Sequence, residues 1–314
     1  MVEFAQVREE AIGKWPGIFS SFGIEVGTGK HQSCPSCGGK DRFRCDNVDG
    51  RGTYICNQCG AGDGFELLQK VLKIDYKEAY DQVAKVIGTV EASPHQPEKP
   101  VSPDVLREIF KNSVPVKLGD MVNRYLYYRG IDRHKIPNTL RYTEKCWEPE
   151  TRQEQRAMLA VFTSSEGKAI TMHRTYLNEH ASKLNIESPK KILPPLEKMS
   201  GGAVRLYEHD EGILGIAEGI ETAVAIHNHK NIPVWAALSA VLMEAWEPPK
   251  NAGIIRVFSD NDENFTGQKA AYNLANRLAV KENRRVEVYV PEKVGEDFLD
   301  QYCRENLRQV KGEY

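Results

Sequence analysis

Four cysteines in two close pairs have the spacing of a metal site. Cys34 and Cys37 form one CxxC pair, Cys56 and Cys59 form the other, and 18 residues separate the pairs. Each pair can turn two thiolates toward one point, and two such turns at the ends of a hairpin give the tetrahedral sulfur site that structural zinc prefers. Glycines follow both pairs, where tight turns need them. We therefore predict one structural Zn²⁺ per chain, held by these four thiolates.

Acidic residues follow three segments that are typical of buried strands. Glu218 follows ILGIA, and Asp297 follows RVEVYV. Asp260 and Asp262 end the segment IIRVFSDND, and side chains two residues apart on an extended chain point the same way. Because the carboxyl ends of parallel strands meet at one sheet edge, we predict a catalytic cluster of these four acids that holds Mg²⁺ or Mn²⁺. Such a cluster favours phosphoryl or nucleotidyl transfer, with Glu218 acting either as a metal ligand or as a general base.

Cations near both clusters are candidates for binding nucleic acid or nucleoside triphosphates. Arg42 and Arg44 lie between the cysteine pairs, interleaved with the aromatic residues Phe43 and Tyr54. Basic and aromatic side chains together suit single-stranded nucleic acid, although the two aromatics alternatively form the small core of the ribbon. Residues 168–198 contain six basic and three acidic residues. The predicted ligands of nucleotide or DNA in this stretch, with a solvated surface as the alternative for each, are Arg174, Lys183, Lys190 and Lys191.

The elements that must position these residues can be inferred from hydrophobic patterning. The last hundred residues alternate strand and helix patterns, which predicts a parallel sheet covered by helices. Residues 157–177 predict two strands joined by a turn, and residues 104–129 predict a helical stretch. Near the N-terminus we expect one helix that ends at Trp15-Pro16-Gly17. Residues 64–87 predict helices, with Asp75 as the cap of the second.

Length, composition and charge limit the classes of function. The 314 residues suit about two domains, and 27% charged residues with a net charge of -2 exclude a uniformly basic nucleic-acid protein. No apolar run reaches the ~18 residues of a membrane span, and we expect no signal peptide. Seven cysteines, an odd number, favour a metal site in a reducing cytoplasm over a disulfide framework. The segment GTGKH lacks the upstream glycine and the Ser/Thr of a P-loop, so no helicase-type ATPase is predicted.

Several motifs resemble those of a known family. CPSCGGKDRFRCD and GTYICNQCGAGDGFELL are similar to the zinc ribbon of phage- and plasmid-type DNA primases. IAEGIETAVAI, FSDNDENFTGQKAA and GEDFLD resemble the three acidic motifs of a TOPRIM domain, and YLYYRGI and MHRTYL resemble the segment between the two. The resemblance covers most of the chain and implies an α/β fold, with an N-terminal zinc ribbon and a C-terminal RNA polymerase domain around a TOPRIM core. The implied domains are residues 1–87 (ribbon with flanking helices), 88–103 (linker), 104–205 (basic part of the polymerase domain) and 206–314 (TOPRIM).

The resemblance also implies an activity and its partners. The chain would be a DNA primase, a nucleotidyltransferase that makes short RNA primers from NTPs on single-stranded DNA. Glu218 matches the first TOPRIM acid, Asp260 and Asp262 match the DxD motif, and Asp297 matches the last acid. Many cellular primases have an acid at the position of Thr222, and whether Glu221 replaces it stays open. A replicative helicase would act in trans, in the cytoplasm of a bacterial cell, and a phage or mobile element is one source of such a gene.

Two other classes of function remain alternatives. TOPRIM chemistry also cuts phosphodiesters, which allows a nuclease or topoisomerase-like activity. A non-catalytic module that binds single-stranded DNA in a replication complex is the third class, and an intact set of acids argues against it.

Overall fold

The fold is described by a computed structural model for residues 4–27, 29–89, 102–186 and 188–312. The chain divides into two compact units, residues 1–99 and residues 100–314. Most of the predicted linker, residues 90–101, lies outside the described residues. Among the helices of the described ranges, none is long and apolar enough to cross a membrane.

The first unit contains a small antiparallel sheet, with two α-helices before it and two after it in the sequence. The strands pair in the order β1 (His31–Cys34), β2 (Gly38–Cys45), β3 (Tyr54–Cys56) and β4 (Gly60–Gly62). The α-helices are α1 (Phe4–Glu10), α2 (Trp15–Ser21), α3 (Gly64–Leu72) and α4 (Tyr76–Val86), with 3-10 turns at Val48–Gly50 and Ile87–Thr89. Their apolar faces form one core around the buried rings of Trp15, Phe19 and Phe65.

The helix prediction for this unit is confirmed at Asp75 and wrong near the N-terminus. The Asp75 carboxylate accepts the backbone N–H of Glu78, and the Glu78 carboxylate accepts the N–H of Asp75, so the predicted cap is a reciprocal capping box. Near the N-terminus, α1 ends at Glu10, and Trp15 and Pro16 begin α2 instead of ending a single helix. Proline fits the first turn of a helix because the N–H it lacks has no partner there.

The second unit consists of ten strands and six α-helices within the described residues. The strands are β5 (Val114–Pro115), β6 (Arg141–Glu148), β7 (Gln153–Thr163), β8 (Ala169–Leu177), β9 (Lys190–Ile192), β10 (Ala203–Val204), β11 (Ile213–Ala217), β12 (Val234–Ala236), β13 (Ile254–Phe258) and β14 (Arg285–Tyr289). The helices are α5 (Pro103–Lys111), α6 (Met121–Tyr128), α7 (Ile220–Lys230), α8 (Ala240–Ala245), α9 (Thr266–Lys281) and α10 (Phe298–Gly312).

All ten strands belong to one mixed sheet. The order β14-β13-β11-β12-β10-β7-β6-β5 forms its main path, and β8 pairs with β7 and β9 beside it. The four strands β14, β13, β11 and β12 are parallel, as the strand–helix alternation predicts, and the other pairs are antiparallel. Residues Ala217, Phe258 and Tyr289 stand in register at the carboxyl ends of three parallel strands. This edge places the segments that follow the three strands side by side.

The middle of the chain confirms one local prediction and corrects another. The two strands predicted within residues 157–177 are β7 and β8. The stretch 104–129 is not one helical segment, because α5 ends at Lys111 and α6 begins at Met121. Between them Pro115 lies in a short edge strand, and Asp120 caps α6 by accepting the N–H of Asn123 at 2.8 Å. A proline, which lacks the N–H of the helical ladder, and a new N-cap both interrupt a helix.

Candidate functional site

The four predicted zinc ligands converge on one point. One sulfur atom from each of Cys34, Cys37, Cys56 and Cys59 lies within 4.8 Å of all the others. The Sγ atoms of Cys34 and Cys59 are 3.8 Å apart, and those of Cys37 and Cys56 are 3.7 Å apart. Tetrahedral zinc with Zn–S bonds of about 2.3 Å requires sulfur atoms about 3.8 Å apart, so the donor set and spacing fit Zn²⁺.

The side chains around this sulfur site decide between the two alternatives for the aromatic residues and leave the prediction for the arginines untested. Phe43 and Tyr54 are buried and stack on each other at 5.4 Å, so they form the core of the ribbon and cannot stack on bases. Arg44 holds Asp46 through two of its nitrogens, at 2.5 and 3.0 Å. Arg42 donates to Gln58 at the surface. Both arginines remain predicted nucleic-acid ligands.

The four predicted acids follow the aligned strand ends, as the strand pattern indicates. Glu218 follows β11, Asp260 and Asp262 follow β13, and Asp297 precedes α10. Glu218, Asp260 and Asp297 line one cleft of about 310 Å³. Among the described residues, however, only the cysteines bring three or more ligand atoms within 4.8 Å of one another, so the carboxylates face the cleft without closing on a common point.

Burial and mutual repulsion perturb two of these carboxyls. Burial, followed by the negative charges of Glu218, Asp297 and Asp262, raises the pKa of Asp260 to about 8. Burial and the charge of Asp262 raise the pKa of Glu218 to about 7, opposed by a hydrogen bond from the backbone N–H of Ala240. Several carboxylates in a poorly solvated space therefore disfavour their own ionisation.

The other two acids are held by the helices that follow them. Asp262 accepts the N–H of Gly267 at 2.8 Å, in the first turn of α9. A Cβ on Gly267 would lie 2.9 Å from the carbonyl oxygen of Asp260, so only glycine allows this close approach of helix and loop. Asp297 accepts the N–H of Asp300 at 2.9 Å and the hydroxyl of Thr222 at 2.9 Å. Thr222, at the position where an acid was expected, therefore orients the last acid.

These carboxylates fit a hard divalent cation. Oδ1 of Asp260 is buried and has no hydrogen-bond partner among the described groups. An unpartnered carboxylate oxygen surrounded by like charges is stabilised by a bound cation, and Mg²⁺ accepts one or two protein carboxylates while it keeps several waters. The chemistry of the donor set thus agrees with the predicted magnesium or manganese ligands, which remain Glu218, Asp260, Asp262 and Asp297.

Three cations line the same cleft. They are Arg129, Lys183 and Lys190. Lys183 and Lys190 were predicted from the sequence, whereas Arg129 was missed, although it lies in the quoted segment YLYYRGI. Burial and the positive charge of Lys190 lower the pKa of Lys183, because a second cation nearby disfavours its charged form. The cleft therefore contains both acidic side chains and crowded cations.

Glu221 holds one of these cations. Its carboxylate is 4% exposed and lies 3.0 Å from the ammonium nitrogen of Lys190. Its other oxygen accepts the buried hydroxyl of Tyr125 at 2.7 Å. Burial alone would raise the pKa of Glu221, but Lys190 and Tyr125 lower it to about 2. Glu221 is thus an ionised partner of Lys190, and the sequence pattern gave no sign of the Tyr125 contact, which joins residues 96 positions apart.

A buried histidine lies in the same electrostatic environment. Burial, followed by the positive charge of Lys190, lowers the pKa of His173 to about 3, so the ring is neutral at physiological pH. Its Nδ1 has no hydrogen-bond partner among the described groups, and the same holds for the hydroxyl of Thr175 on the same strand. The two residues occupy alternate positions of β8, so their side chains face the same side of the sheet.

Two predicted nucleotide ligands lie on the opposite face of the sheet. Lys191 forms ion pairs with the buried Glu148 and with Glu150. Arg174 is 7% exposed and donates to the hydroxyl of Tyr176 at 2.8 Å. Neighbouring residues of a strand point to opposite faces, so Lys190 and Lys191 cannot both reach the cleft. The structure thus brings Lys183 and Lys190 to the acids and keeps Arg174 and Lys191 away from them.

Three protein families match successive parts of the chain. Residues 29–65 match the zinc-binding domain of primase-helicase, and residues 213–307 match the Toprim domain. Residues 101–206, which contribute the cations of the cleft, match a domain of unknown function, DUF7146. The first range contains all four cysteines, and the second contains all four acids.

Several solved structures are similar to this chain at low sequence identity. The primase fragment of the bacteriophage T7 primase-helicase protein is 15% identical, with a TM-score of 0.44 over 90% of this chain and 98% of that chain. The zinc-binding and RNA polymerase domains of the Aquifex aeolicus primase are 18% identical, with a TM-score of 0.39 over 99% and 85%. The Escherichia coli primase catalytic core is 16% identical, with a TM-score of 0.40 over 60% and 70%.

The two matched domains confirm the resemblance seen in the sequence motifs. The mixed α/β architecture, with an N-terminal ribbon and a later parallel sheet, is also the predicted fold class. The chain therefore combines the zinc-binding domain of the primase-helicase family with a Toprim domain.

Proposed function

We propose that this protein is a DNA primase that joins NTPs into short RNA primers on a single-stranded DNA template. The observation that carries the proposal is the cleft in which the acids Glu218, Asp260 and Asp297 face the cations Lys183 and Lys190. A triphosphate bound with a divalent cation needs both kinds of partner, carboxylates for the cation and ammonium or guanidinium groups for the phosphate oxygens. The zinc-binding domain of primase-helicase and the Toprim domain support the same activity.

The acids would bind the cation, and one of them could accept the proton of the attacking 3′-hydroxyl. The 3′-hydroxyl of one nucleotide attacks the α-phosphate of the next, and pyrophosphate leaves. A divalent cation bound by Asp260, Asp262 and Asp297 would neutralise the triphosphate and lower the pKa of the attacking hydroxyl. Glu218, whose pKa of about 7 lies near the working pH, is suited to accept the hydroxyl proton or to complete the ligand set.

The cations would position the triphosphate. Lys183, Lys190 and Arg129 line the same cleft as the acids, where phosphate oxygens of the incoming NTP could contact them. Glu221 would keep Lys190 fixed, since its buried carboxylate contacts both that ammonium group and Tyr125. Binding energy from these contacts orients the α-phosphate for attack.

The zinc-binding unit and a helicase would complete the reaction in the cell. Lys40 and Arg51 are exposed on the ribbon, and together with Arg42 and Arg44 they suit contacts with template phosphates. The zinc ion would be structural, and the ribbon would help to choose the start site. The description of the matched domain as that of a primase-helicase supports a replicative helicase as the partner.

Primer synthesis by matched variants tests the proposal. The full chain is incubated with single-stranded DNA, labelled NTPs and Mg²⁺, and we expect short RNA products. Asp260→Asn removes the charge that holds the cation but keeps the shape, so we expect RNA synthesis to fall by at least ~100-fold while DNA binding is retained. Glu263→Gln is the matched control, because Glu263 is exposed in the same loop.

The same incubation separates the alternative functions. Cleaved DNA without RNA would indicate a nuclease or topoisomerase-like activity, and DNA binding without any product would indicate a non-catalytic module. Primer synthesis by Asp260→Asn at the wild-type rate would remove the basis for the proposed mechanism. Asp300 is a poorer control than Glu263, because its charge contributes to the raised pKa of Asp260.

A further inference from the structure

Two neighbouring tyrosines are exposed at the end of α6, next to the cleft. The side chains of Tyr127 and Tyr128 are 47% and 60% exposed, and their ring centroids lie 6.0 Å apart. On the same helix, Tyr125 and Leu126 are buried in the core, so the last turn holds its position through its other face. Arg129 follows directly and lines the cleft. The aromatic pair is therefore continuous in the chain with the wall of the cleft.

One cation contacts this pair of rings, and other basic residues are close to it in the chain. The guanidinium carbon of Arg133 lies 3.9 Å from the ring centroid of Tyr127, which is a cation–π contact. Arg124 and Lys135 are also exposed on this segment. Residues 120–135 contain four basic residues and two acids, and one of the acids, Asp120, is occupied in capping α6. The surface is thus aromatic and positively charged.

We propose that Tyr127 and Tyr128 form a stacking platform for unpaired bases of the single-stranded template as it enters the cleft. Flat bases stack on exposed aromatic rings, while cations beside the rings contact the phosphates that join the bases. Charge favours nucleic acid over an apolar peptide as the occupant, because Arg133 contacts the Tyr127 ring and Arg124 lies one helical turn before the two tyrosines on α6. Continuity with Arg129 favours the template strand, since the templating base must reach the acids of the same cleft. The inference rests on the proposed function and adds a place for its template.

Binding of a single-stranded oligonucleotide to the full chain tests the platform. We expect Tyr127→Ala and Tyr128→Ala each to weaken binding of a 12-nucleotide DNA by roughly 5- to 150-fold, since that is the range for one lost base stack. Tyr128→Phe keeps the ring and should bind within about twofold of the wild type. Tyr272→Ala is the matched control, because Tyr272 is 57% exposed on α9.

A spectroscopic variant and steady-state kinetics add independent measurements. In Tyr128→Trp, the indole emission should be quenched when the oligonucleotide is added, because a stacked base quenches it. In primer synthesis, Tyr128→Ala should raise the KM for template and leave kcat at saturating template within about twofold. Unchanged affinity of both alanine variants would overturn the proposal, and so would a Tyr128→Phe variant as weak as Tyr128→Ala.

The outcomes for the platform and for the proposed function are separable. Primer synthesis by the wild type together with unchanged DNA binding by the tyrosine variants would refute the platform alone. Weakened DNA binding without primer synthesis by the wild type would support the platform and refute the primase. If the tyrosine variants bound DNA normally but lost binding to a helicase, the rings would contact a protein partner. That result would overturn the inference.

Discussion

Replacing Asp260 by asparagine is expected to stabilise the protein in the absence of Mg²⁺. The folded protein raises the pKa of this carboxyl from 3.8 to about 8, through burial and the charges of Glu218, Asp297 and Asp262. A group with a raised pKa contributes its full stability below the pKa of the unfolded chain, and that contribution is lost as the pH rises toward the folded value. The wild type should therefore lose stability between pH 4 and pH 8, and Asp260→Asn should avoid this loss.

The expected gain in stability of Asp260→Asn follows from the size of the pKa shift of Asp260. A change of about four units at about 1.4 kcal/mol each sets a ceiling near 6 kcal/mol above pH 8. Asp260 is only partly buried and shares its repulsion with Glu218, so we expect about half of this, roughly 3 kcal/mol, at pH 8.5. For a unit of this size that gain corresponds to an increase in Tm of about 6–12 °C. At pH 5.5 the gain should be smaller by about 1–2 kcal/mol.

Thermal unfolding of both proteins at the two pH values measures this difference. The buffer contains no Mg²⁺ and no chelator, so that the zinc site stays intact. Adding Mg²⁺ should stabilise the wild type more than Asp260→Asn, because the variant lacks one of the four carboxylates predicted to bind the cation. Glu263→Gln should match the wild type throughout. An Asp260→Asn variant that is less stable than the wild type at both pH values would refute the explanation by burial and repulsion.

Three further predictions concern other parts of the molecule. Cys56→Ser should release the single zinc and unfold residues 31–62 while the second unit stays folded, as elemental analysis and circular dichroism can show; full zinc retention would exclude the four-cysteine site. A chain truncated to residues 104–314 should lose template-directed initiation because the ribbon no longer raises the local template concentration, and unchanged start sites and rates would exclude that role. Glu221→Gln should weaken NTP binding at an unchanged Mg²⁺ requirement, because it frees Lys190 without touching the cation ligands. A raised Mg²⁺ requirement in that variant would assign Glu221 to the metal.

Local spacing made the zinc site and the positions of the acids predictable. Each CxxC pair is a turn whose geometry depends on neighbouring residues, so the ligands of one site can be identified from the chain alone. The acids follow parallel strands, and the carboxyl ends of such strands meet wherever the sheet forms. The separation of the carboxylates, and the hydrogen bonds that Asp262 and Asp297 accept from the first turns of α9 and α10, depend on where these helices begin. That detail could not be inferred from strand patterns.

The cations were harder to predict because their direction depends on strand register. Lys190 and Lys191 are the same residue type at adjacent positions, so the sequence alone does not distinguish them. The pairing of β9 with β8 decides which one faces the cleft. A shift by one residue would exchange their roles. Arg129 reaches the cleft from the end of α6, which lies far from the acids in sequence, so only the tertiary fold brings it there. Sequence reasoning thus named two of the three cations that line the cleft, Lys183 and Lys190, but missed Arg129.

The strand β10 limits how the Toprim segment could be transferred to another protein. This strand has only two residues, Ala203 and Val204, yet it pairs with β12 on one side and with β7 on the other. It therefore joins the parallel strands, which the acids follow, to the antiparallel strands, of which β9 carries Lys190. A graft that moves residues 206–314 into another protein would leave the edge of β12 open, and open edges recruit foreign strands. Because β7 in turn pairs with β6 and β8, only an exchange that carries the whole sheet avoids a new open edge.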